Sequence, residues 1–238
     1  MPEISTTGDQ MLNVLAAIAR QGPVTTTEVA THLGINRTVA HRLIATLHRR
    51  AFLRRQGNAY VVGPMVVRLA RSVEPDLREV AMPVMARLAD EVEETVVLHS
   101  IDGIDAVVTD QVVSERHVLR VQHQPGSRHR LGVGASGRAL LAFQPDHLLE
   151  RALRTLDDPA AVRRQLQQVR RDGYATSGNE LQAGVHGTAA PILGPDGFAR
   201  ASVALLAPVD RAGGLDPHAG RLMESARRIA ASLAAVRG

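Results

Sequence analysis

The chain has no cysteine and no tryptophan, and only 2% of its 238 residues are aromatic. The absence of cysteine excludes disulfides and thiolate metal sites, and the scarcity of aromatic rings argues against binding of single-stranded nucleic acid by base stacking. The chain lacks the run of about 18 apolar residues that a membrane span needs and shows no signal peptide, so we expect a cytoplasmic protein. Hydrophobic residues make up 45%, enough for the cores of one large domain or two ordinary ones.

Lysine is also absent, and the arginines are unevenly distributed. Residues 1–72 contain nine arginines and three acidic residues, whereas residues 73–238 contain 19 arginines and 21 acidic residues. Between Val29 and Val73 there is no acidic residue at all. A basic first third followed by a slightly acidic remainder predicts a DNA-binding module attached to one that does not bind DNA.

Residues 25–49 have the pattern of two short helices joined by a glycine. Thr25 and Glu28 form a capping box for the first helix, Gly34 supplies the turn, and Asn36 is a good N-cap for the second helix. The second helix has an apolar stripe opposite a polar face; the stripe contains Val39, Ala40, Leu43, Ile44 and Leu47, and the polar face contains Arg37, Thr38, His41, Arg42 and Ala45. This arrangement favours a helix that enters the major groove of DNA, although it also fits a solvated helix of an αα-hairpin.

A basic hairpin is predicted next, with Gly57-Asn58 between two strand-like runs. Three helices followed by a hairpin predict a winged helix-turn-helix DNA-binding domain over residues 1–63. We expect the second helix of the motif to read bases, and the first helix N-terminus and the hairpin to contact phosphates. The predicted DNA-binding residues are Thr25, Thr26, Thr27, Asn36, Arg37, Thr38, His41, Arg42, Arg54, Arg55 and Asn58.

Residues 64–74 predict a linker helix, and residues 75–238 predict a second domain. Its helices are expected around residues 77–92, 145–156, 159–171 and 216–236, and a short one after the glycine-rich loop 132–137. Its strands are expected at residues 95–101, 106–112, 117–122, 186–193 and 198–206. The pattern indicates an α+β domain with a mostly antiparallel sheet flanked by helices.

Eight segments along the chain have the sequence, order and spacing of a known protein family. They are Leu33–Leu43, Tyr60–Pro64, Leu77–Val84, Ala135–Ala142, Arg171–Ala175, Glu180–Val185, Ala189–Ile192 and Gly197 onward. In these segments the chain resembles the IclR family of bacterial transcription regulators. The resemblance implies a winged helix followed by a GAF-like effector-binding and oligomerisation domain, and a dimer or dimer of dimers. We therefore expect a regulator, a repressor in the first instance, whose affinity for a double-stranded DNA operator is controlled by a small-molecule effector. Neither enzymatic activity nor a cofactor is expected.

The resemblance also implies where the effector binds. The family's effector lies between the sheet and the loop that is Gly132–Gly137 here, and its lining positions correspond to Ala135, Ser136, Ser177, Gly187, Ala204 and Leu206. Family members that bind small organic acids have polar anchors at the last four positions. Without those anchors a buried carboxylate would lack partners, so we expect a larger or more apolar effector. The alternative is a pocket that binds no effector.

Other sequence features suggest enzymes. Gly132–Gly137 reads G-x-G-x-x-G, but no hydrophobic strand precedes it, and Asp157, at the spacing of a ribose ligand, falls in a loop. A P-loop would need lysine and a hydroxyl where Arg138 and Ala139 stand, and a nucleophile elbow at Ser136 would need glycine at 138. The helix N-terminus after this loop could still bind an anionic group of an effector.

Two further interpretations concern a metal site formed by histidines and a different function for the protein. His99, His123, His129 and His186 could converge, but they lack metal-ligand spacing, so no metal site is predicted. The rival functional class is a small-molecule enzyme or sensor with an incidental basic N-terminal domain.

Overall fold

The computed structural model describes residues 4–70 and 75–237, and the chain divides into two compact units between Pro75 and Asp76. Each unit has its own hydrophobic core. No helix among the described residues is long and apolar enough to cross a membrane.

Within residues 4–70, helices surround a short antiparallel hairpin. The elements are α1 (Thr6–Gln21), α2 (Thr26–Leu33), α3 (Arg37–Arg49), β1 (Leu53–Gln56), β2 (Ala59–Val62) and α4 (Pro64–Ala70). Gln56 pairs with Ala59 across the Gly57-Asn58 turn, and a bridge between Val24 and Tyr60 connects the hairpin to the segment before α2. The predicted winged helix-turn-helix is confirmed.

The ends of α2 and the start of α3 are fixed by local hydrogen bonds. Both bonds of the capping box between Thr25 and Glu28 are present. Gly34 ends α2 at φ 63°, in the left-handed region that glycine adopts at little cost, and the Asn36 side chain accepts from the Thr38 N–H at 2.8 Å. The apolar stripe of α3 packs on α1, α2 and β1. The core that they form includes Val14, Ile18, Val29, Leu43, Ile44, Leu47 and Leu53.

The second unit is a six-stranded sheet with helices on both faces. Its elements are α5 (Pro75–Val92), β3 (Thr95–Asp102), β4 (Asp105–Val112), β5 (Arg128–Arg130), α6 (Gly134–Leu141), α7 (Asp146–Leu153), α8 (Pro159–Asp172), β6 (Ala175–Gly178), β7 (Val185–Leu193), β8 (Ala199–Pro208) and α9 (Ala219–Arg237). The strand order is β5-β4-β3-β8-β7-β6, and every neighbouring pair is antiparallel. Helices α5 and α9 pack on one face of the sheet, and α6, α7 and α8 pack on the other. The predicted α+β fold is confirmed.

Two local predictions differ from the structure, and two short strands lie outside the predicted set. The strand expected at residues 117–122 is wrong, because this segment is an irregular loop whose Val118 is fully exposed. The strand beside β4 is the three-residue β5, and β6 is also a short edge strand; neither carries an apolar pattern that would reveal it. The loop predicted over residues 132–137 ends early, because α6 already begins at Gly134, where burial against the sheet outweighs the low helix propensity of glycine.

Candidate DNA-binding surface and effector site

The polar face of α3 carries four of the predicted DNA-binding side chains. Arg37, Thr38, His41 and Arg42 are all exposed, because the buried stripe of the same helix fixes which face is turned outward. Within the described residues, none of these four side chains has a hydrogen bond or an ion pair. The face can therefore offer all its donors to another molecule.

The charge of the first unit is not compensated locally. Among residues 4–70, no arginine forms an ion pair. In the second unit many arginines form ion pairs, for example Arg130 with Asp105 at 2.9 Å and Arg163 with Glu150 at 2.6 Å. An unpaired cluster of arginines favours binding to the phosphates of a nucleic acid.

Two predicted phosphate contacts are already engaged within the chain. The Thr25 hydroxyl donates to the Glu28 carboxylate at 2.8 Å, and Arg55 donates its Nε–H to the Gly57 carbonyl at 3.1 Å. The backbone N–H and the hydroxyl of Thr25 hold the pKa of Glu28 below its ordinary value, so this carboxylate stays charged beside the α2 N-terminus. Arg54 and Asn58 are exposed on the hairpin and, within the described residues, have no such side-chain partner.

Thr26 and Thr27 complete the α2 N-terminus, where Thr26 is half-buried and Thr27 is exposed. Asn36 is exposed but uses its side-chain oxygen as the N-cap of α3. The predicted DNA-binding residues thus lie at the α2 N-terminus, at the start of α3 and on the hairpin. Their contacts with DNA remain predictions.

The six predicted effector residues lie where α6 meets one face of the sheet. Ser177 pairs with Gly187, Gly187 pairs with Leu206, and Ala204 is two residues before Leu206, so all four belong to the same face. A Cβ atom added to Gly187 would lie 3.1 Å from Leu206 Cδ2, 3.3 Å from Ser177 Oγ and 3.7 Å from Ala135 Cβ.

The remaining two residues adjoin this group. Ala204 packs in the same core cluster as Ala135, and the Ser136 carbonyl accepts from Ser202 Oγ at 3.5 Å. A cleft of about 480 Å³ opens beside two of the six, Ser177 and Gly187, and the rest of its lining is mostly polar and includes the Arg138–Glu180 pair. The structure therefore brings the predicted residues together, while their binding of an effector stays a prediction.

The N-terminus of α6 is occupied by a carboxylate of the chain itself. Glu180 accepts from the Gly134 N–H at 2.9 Å and from both terminal nitrogens of Arg138 at 2.7 Å, and Arg138 also donates to the Thr176 carbonyl at 2.6 Å. Burial alone would raise the pKa of Glu180, but the hydrogen bonds from Arg138 and Gly134 outweigh it and lower that pKa. The anion site predicted at this helix N-terminus is already filled.

Sequence reasoning misses this ion pair, because its two partners are separated by 42 residues. One signal is nevertheless present in the sequence. Arg138 is the only charged residue of the otherwise small and apolar α6, and a buried arginine requires a carboxylate or several carbonyl partners.

The geometry around Gly134 does not fit a dinucleotide. A strand does precede the glycine-rich segment, but it is the polar edge strand β5 in an antiparallel sheet, not the central parallel strand that the motif requires. Gly134 has φ 69°, and a Cβ there would lie 2.7 Å from Leu181 Cδ1. Asp157 lies in the loop between α7 and α8. The glycines serve packing rather than phosphate binding.

Three of the four histidines considered above do converge. The ring centroids of His99 and His129 are 5.6 Å apart, and His123 is close enough to influence the pKa of both. His186 lies elsewhere, against Gly178. Among the described residues, no group of three histidine or acidic side chains has the geometry of a metal site.

Ser136 has a histidine neighbour that the sequence did not reveal. Ser136 Oγ lies 3.2 Å from His129 Nε2, but the other ring nitrogen of His129 faces the Arg130 carbonyl rather than a carboxylate. Ser136 is also 95% buried. This pair therefore lacks the orienting acid and the access of a catalytic serine.

Comparison with known proteins assigns both units. Residues 9–57 match the IclR helix-turn-helix domain, and residues 71–234 match the domain described as bacterial transcriptional regulator IclR C-terminal. The HTH-type transcriptional regulator BhcR of Paracoccus denitrificans is 31% identical over an alignment 242 residues long, which covers 95% of this chain and 86% of BhcR. The transcriptional repressor IclR of Escherichia coli is 26% identical over 84% of this chain and 79% of its own length.

Solved structures agree with the fold. The Thermotoga maritima IclR structure superposes with a TM-score of 0.80 at 24% identity, covering 95% of this chain and 98% of that one. An IclR homologue from Microbacterium hydrocarbonoxydans, complexed with 4-hydroxybenzoate, gives 0.77 at 23% identity over 97% of this chain and all of that one. The two matching domains and the relatives that span almost the whole chain exclude the enzyme alternative: the chain belongs to the IclR family of bacterial transcriptional regulators.

Proposed function

We propose that this regulator binds its operator as a dimer or a dimer of dimers. Each DNA-binding domain would place α3 in the major groove of one half-site of a pseudo-palindrome, with half-sites about one helical turn, or a multiple of it, apart. The unpaired polar face of α3 carries this proposal, since Arg37, Thr38, His41 and Arg42 are exposed and none is held by a neighbour within the described residues. Arg54, Arg55 and Asn58 on the hairpin would contact phosphates.

Residues 1–63 form the DNA-binding domain in this proposal, residues 64–74 the linker, and residues 75–238 the effector-binding and oligomerisation domain. The boundary between the two compact units near Pro75 supports this division. Since the operator lies on bacterial DNA, the protein acts in the cytoplasm.

A small molecule bound near Ala135, Ser136, Ser177, Gly187, Ala204 and Leu206 controls the operator affinity in this proposal. It can do so only by binding one arrangement of the dimer more tightly than another. The 4-hydroxybenzoate complex of a homologue supports an organic molecule as the effector, and without polar anchors for a carboxylate the effector here is a larger or more apolar one. The named repressor activity of the E. coli relative supports repression as the direction of control.

The proposal is tested by titrating the purified full-length protein against a labelled duplex from upstream of its own gene, with random DNA for comparison. Binding should be tighter to the upstream duplex and should weaken steeply with salt, because arginines release counterions from the phosphates. Binding that is insensitive to salt would contradict the assignment of the first unit.

Arg42→Ala then tests the face of α3. If Arg42 reaches a base edge, its loss should weaken operator binding by about 1–3 kcal/mol and relax specificity at one position. Arg20→Ala on α1 removes the same charge from an exposed site outside the proposed surface and serves as the control. Equal effects of the two variants would mean that Arg42 contributes only non-specific electrostatic attraction to the DNA.

A further inference from the structure

His99 is a buried polar side chain without a partner. It is 1% exposed, and neither of its ring nitrogens has a hydrogen-bond partner in the protein. Across residues 4–70 and 75–237, no other buried side-chain nitrogen or oxygen is in this situation. Buried polar atoms almost always have a partner, since burying one without it is unfavourable. His99 is therefore placed to bind something other than its own chain.

The nearest ring, that of His129, cannot satisfy it, because both of its nitrogens already face other partners. His129 Nδ1 lies 3.3 Å from the Arg130 carbonyl, and His129 Nε2 lies 3.2 Å from Ser136 Oγ. A carbonyl only accepts, so Nδ1 of His129 carries the proton and Nε2 accepts from the Ser136 hydroxyl. His99 packs edge-on against the His129 ring without a hydrogen bond.

Among the described residues, the titratable groups that act on His99 are histidines, which do not balance a carboxylate while they are neutral. Burial lowers the pKa of His99 well below its ordinary value, and the nearby His129 and His123 lower it further. Burial also lowers the pKa of those two neighbours. Asp105, which influences the pKa of His129, pairs with Arg130, and Arg138 of α6 pairs with Glu180.

The position of His99 continues the row of predicted effector residues. His99 pairs with Ser202 in the sheet, and two residues before it Val97 pairs with Ala204, so His99 shares the face of Ala204 and Leu206. An apolar cluster of Val97, Val108, Val121 and Leu206 lies on this face. The segment that carries Val121 is held by Thr95 Oγ1, which donates to the Val121 carbonyl at 2.7 Å.

We propose that the effector of this regulator is an uncharged, mostly apolar molecule whose hydroxyl or carbonyl group forms a hydrogen bond with His99. A neutral imidazole has one nitrogen that donates and one that accepts, so either group can be bound. The apolar body of the effector would pack on the cluster around Leu206. This inference rests on the proposed effector function of the second unit and names the chemistry of its ligand.

Phenol and toluene are suitable probes, since they have nearly the same shape and differ by a hydroxyl in place of a methyl group. Their affinities for the full-length protein are measured by calorimetry, together with that of benzoate as the charged analogue. Phenol should bind about tenfold more tightly than toluene, the ratio expected of one buried hydrogen bond, and benzoate should bind more weakly than phenol. In nitrogen NMR of histidine-labelled protein, phenol but not toluene should shift the ring signals of His99.

Two variants assign the effect to this residue. His99→Leu should remove the advantage of phenol over toluene and leave thermal stability unchanged or raised, because it deletes unpartnered polar atoms. His147→Leu makes the same chemical change at an exposed histidine on α7 and should keep the advantage.

Any of three results would overturn the inference: no binding of phenol up to its solubility, equal binding of phenol and toluene, or an advantage of phenol that survives in His99→Leu. Lower stability of His99→Leu would also count against it, since His99 would then have a partner within the folded chain, such as an ordered water. Binding of the upstream duplex by the same preparations is measured alongside. If the protein binds DNA but the probes do not bind as expected, only this inference is contradicted. If the protein does not bind DNA, the proposed function is contradicted.

Discussion

Replacing Glu180 by alanine should destabilise the second unit strongly, because it leaves a buried charge without a counterion. The Arg138 side chain is 5% exposed and Glu180 is 32% exposed. Glu180 receives three hydrogen bonds, two from Arg138 and one from Gly134. In Glu180→Ala the guanidinium keeps only the Thr176 carbonyl among these partners.

The two partners should differ in their effect. Loss of Glu180 belongs to the class of broken buried pairs, which destabilise by about 3–5 kcal/mol. For a unit of this size that corresponds to a fall in Tm of roughly 10 °C. Arg138→Met instead leaves a carboxylate that is one-third exposed and still bound to the Gly134 N–H, so we expect about 1–2 kcal/mol.

Thermal and urea unfolding of the full-length variants, followed by circular dichroism, measures both effects. Glu150→Ala is the control at the surface, because Nη2 of Arg163 donates to both Glu150 oxygens at similar distances and each side chain is 47% exposed. Its loss should have little effect. The reasoning is refuted if Glu180→Ala is no worse than Arg138→Met or Glu150→Ala. In either case Arg138 would have found water or another partner.

Two further predictions concern other parts of the chain and other conditions. Gly63→Ala should destabilise the first unit by at least about 3 kcal/mol and abolish operator binding, since its Cβ would lie 2.3 Å from the Ala51 carbonyl oxygen; Gly8→Ala, with nothing closer than 3.4 Å, should be tolerated, and similar melting curves would contradict this. Because the pKa of Glu180 is lowered in the folded chain, its contribution is complete above its ordinary value of 4.5 and is lost as the pH falls through the folded value. The difference in Tm between the wild type and Glu180→Ala should therefore shrink in acid, and a constant difference would show that the carboxylate charge is not responsible.

The sequence predicts best what depends on local chemistry. The capping box at Thr25, the turn at Gly34 and the hairpin at Gly57-Asn58 are each decided by a few neighbouring residues, and all are confirmed. The edge strand at 128–130 and the loop at 117–122 are not predicted correctly. Their structure depends on which segment lies beside β4, and neighbouring residues do not decide that.

The candidate site shows the same division. The resemblance predicts six effector residues, and four of them, Ser177, Gly187, Ala204 and Leu206, share one face of the sheet. Their binding of an effector stays a prediction. The Arg138–Glu180 pair and the unpartnered His99 depend on contacts between distant segments, and periodicity in the sequence carries no information about such contacts.

The carboxylate of Glu180 at the start of α6 is a ligand that the chain supplies to itself. Its tether keeps it there at an effective concentration on the order of millimolar, so a free anion must outcompete it to reach Gly134 and Arg138. Glu180 sits in the turn between β6 and β7, which is closed by a hydrogen bond from the Gly184 N–H to Asn179 Oδ1 at 2.7 Å. Any competitor that displaces Glu180 breaks the contact between this turn and α6, so exchange of one carboxylate for another would change how the edge of the sheet is held.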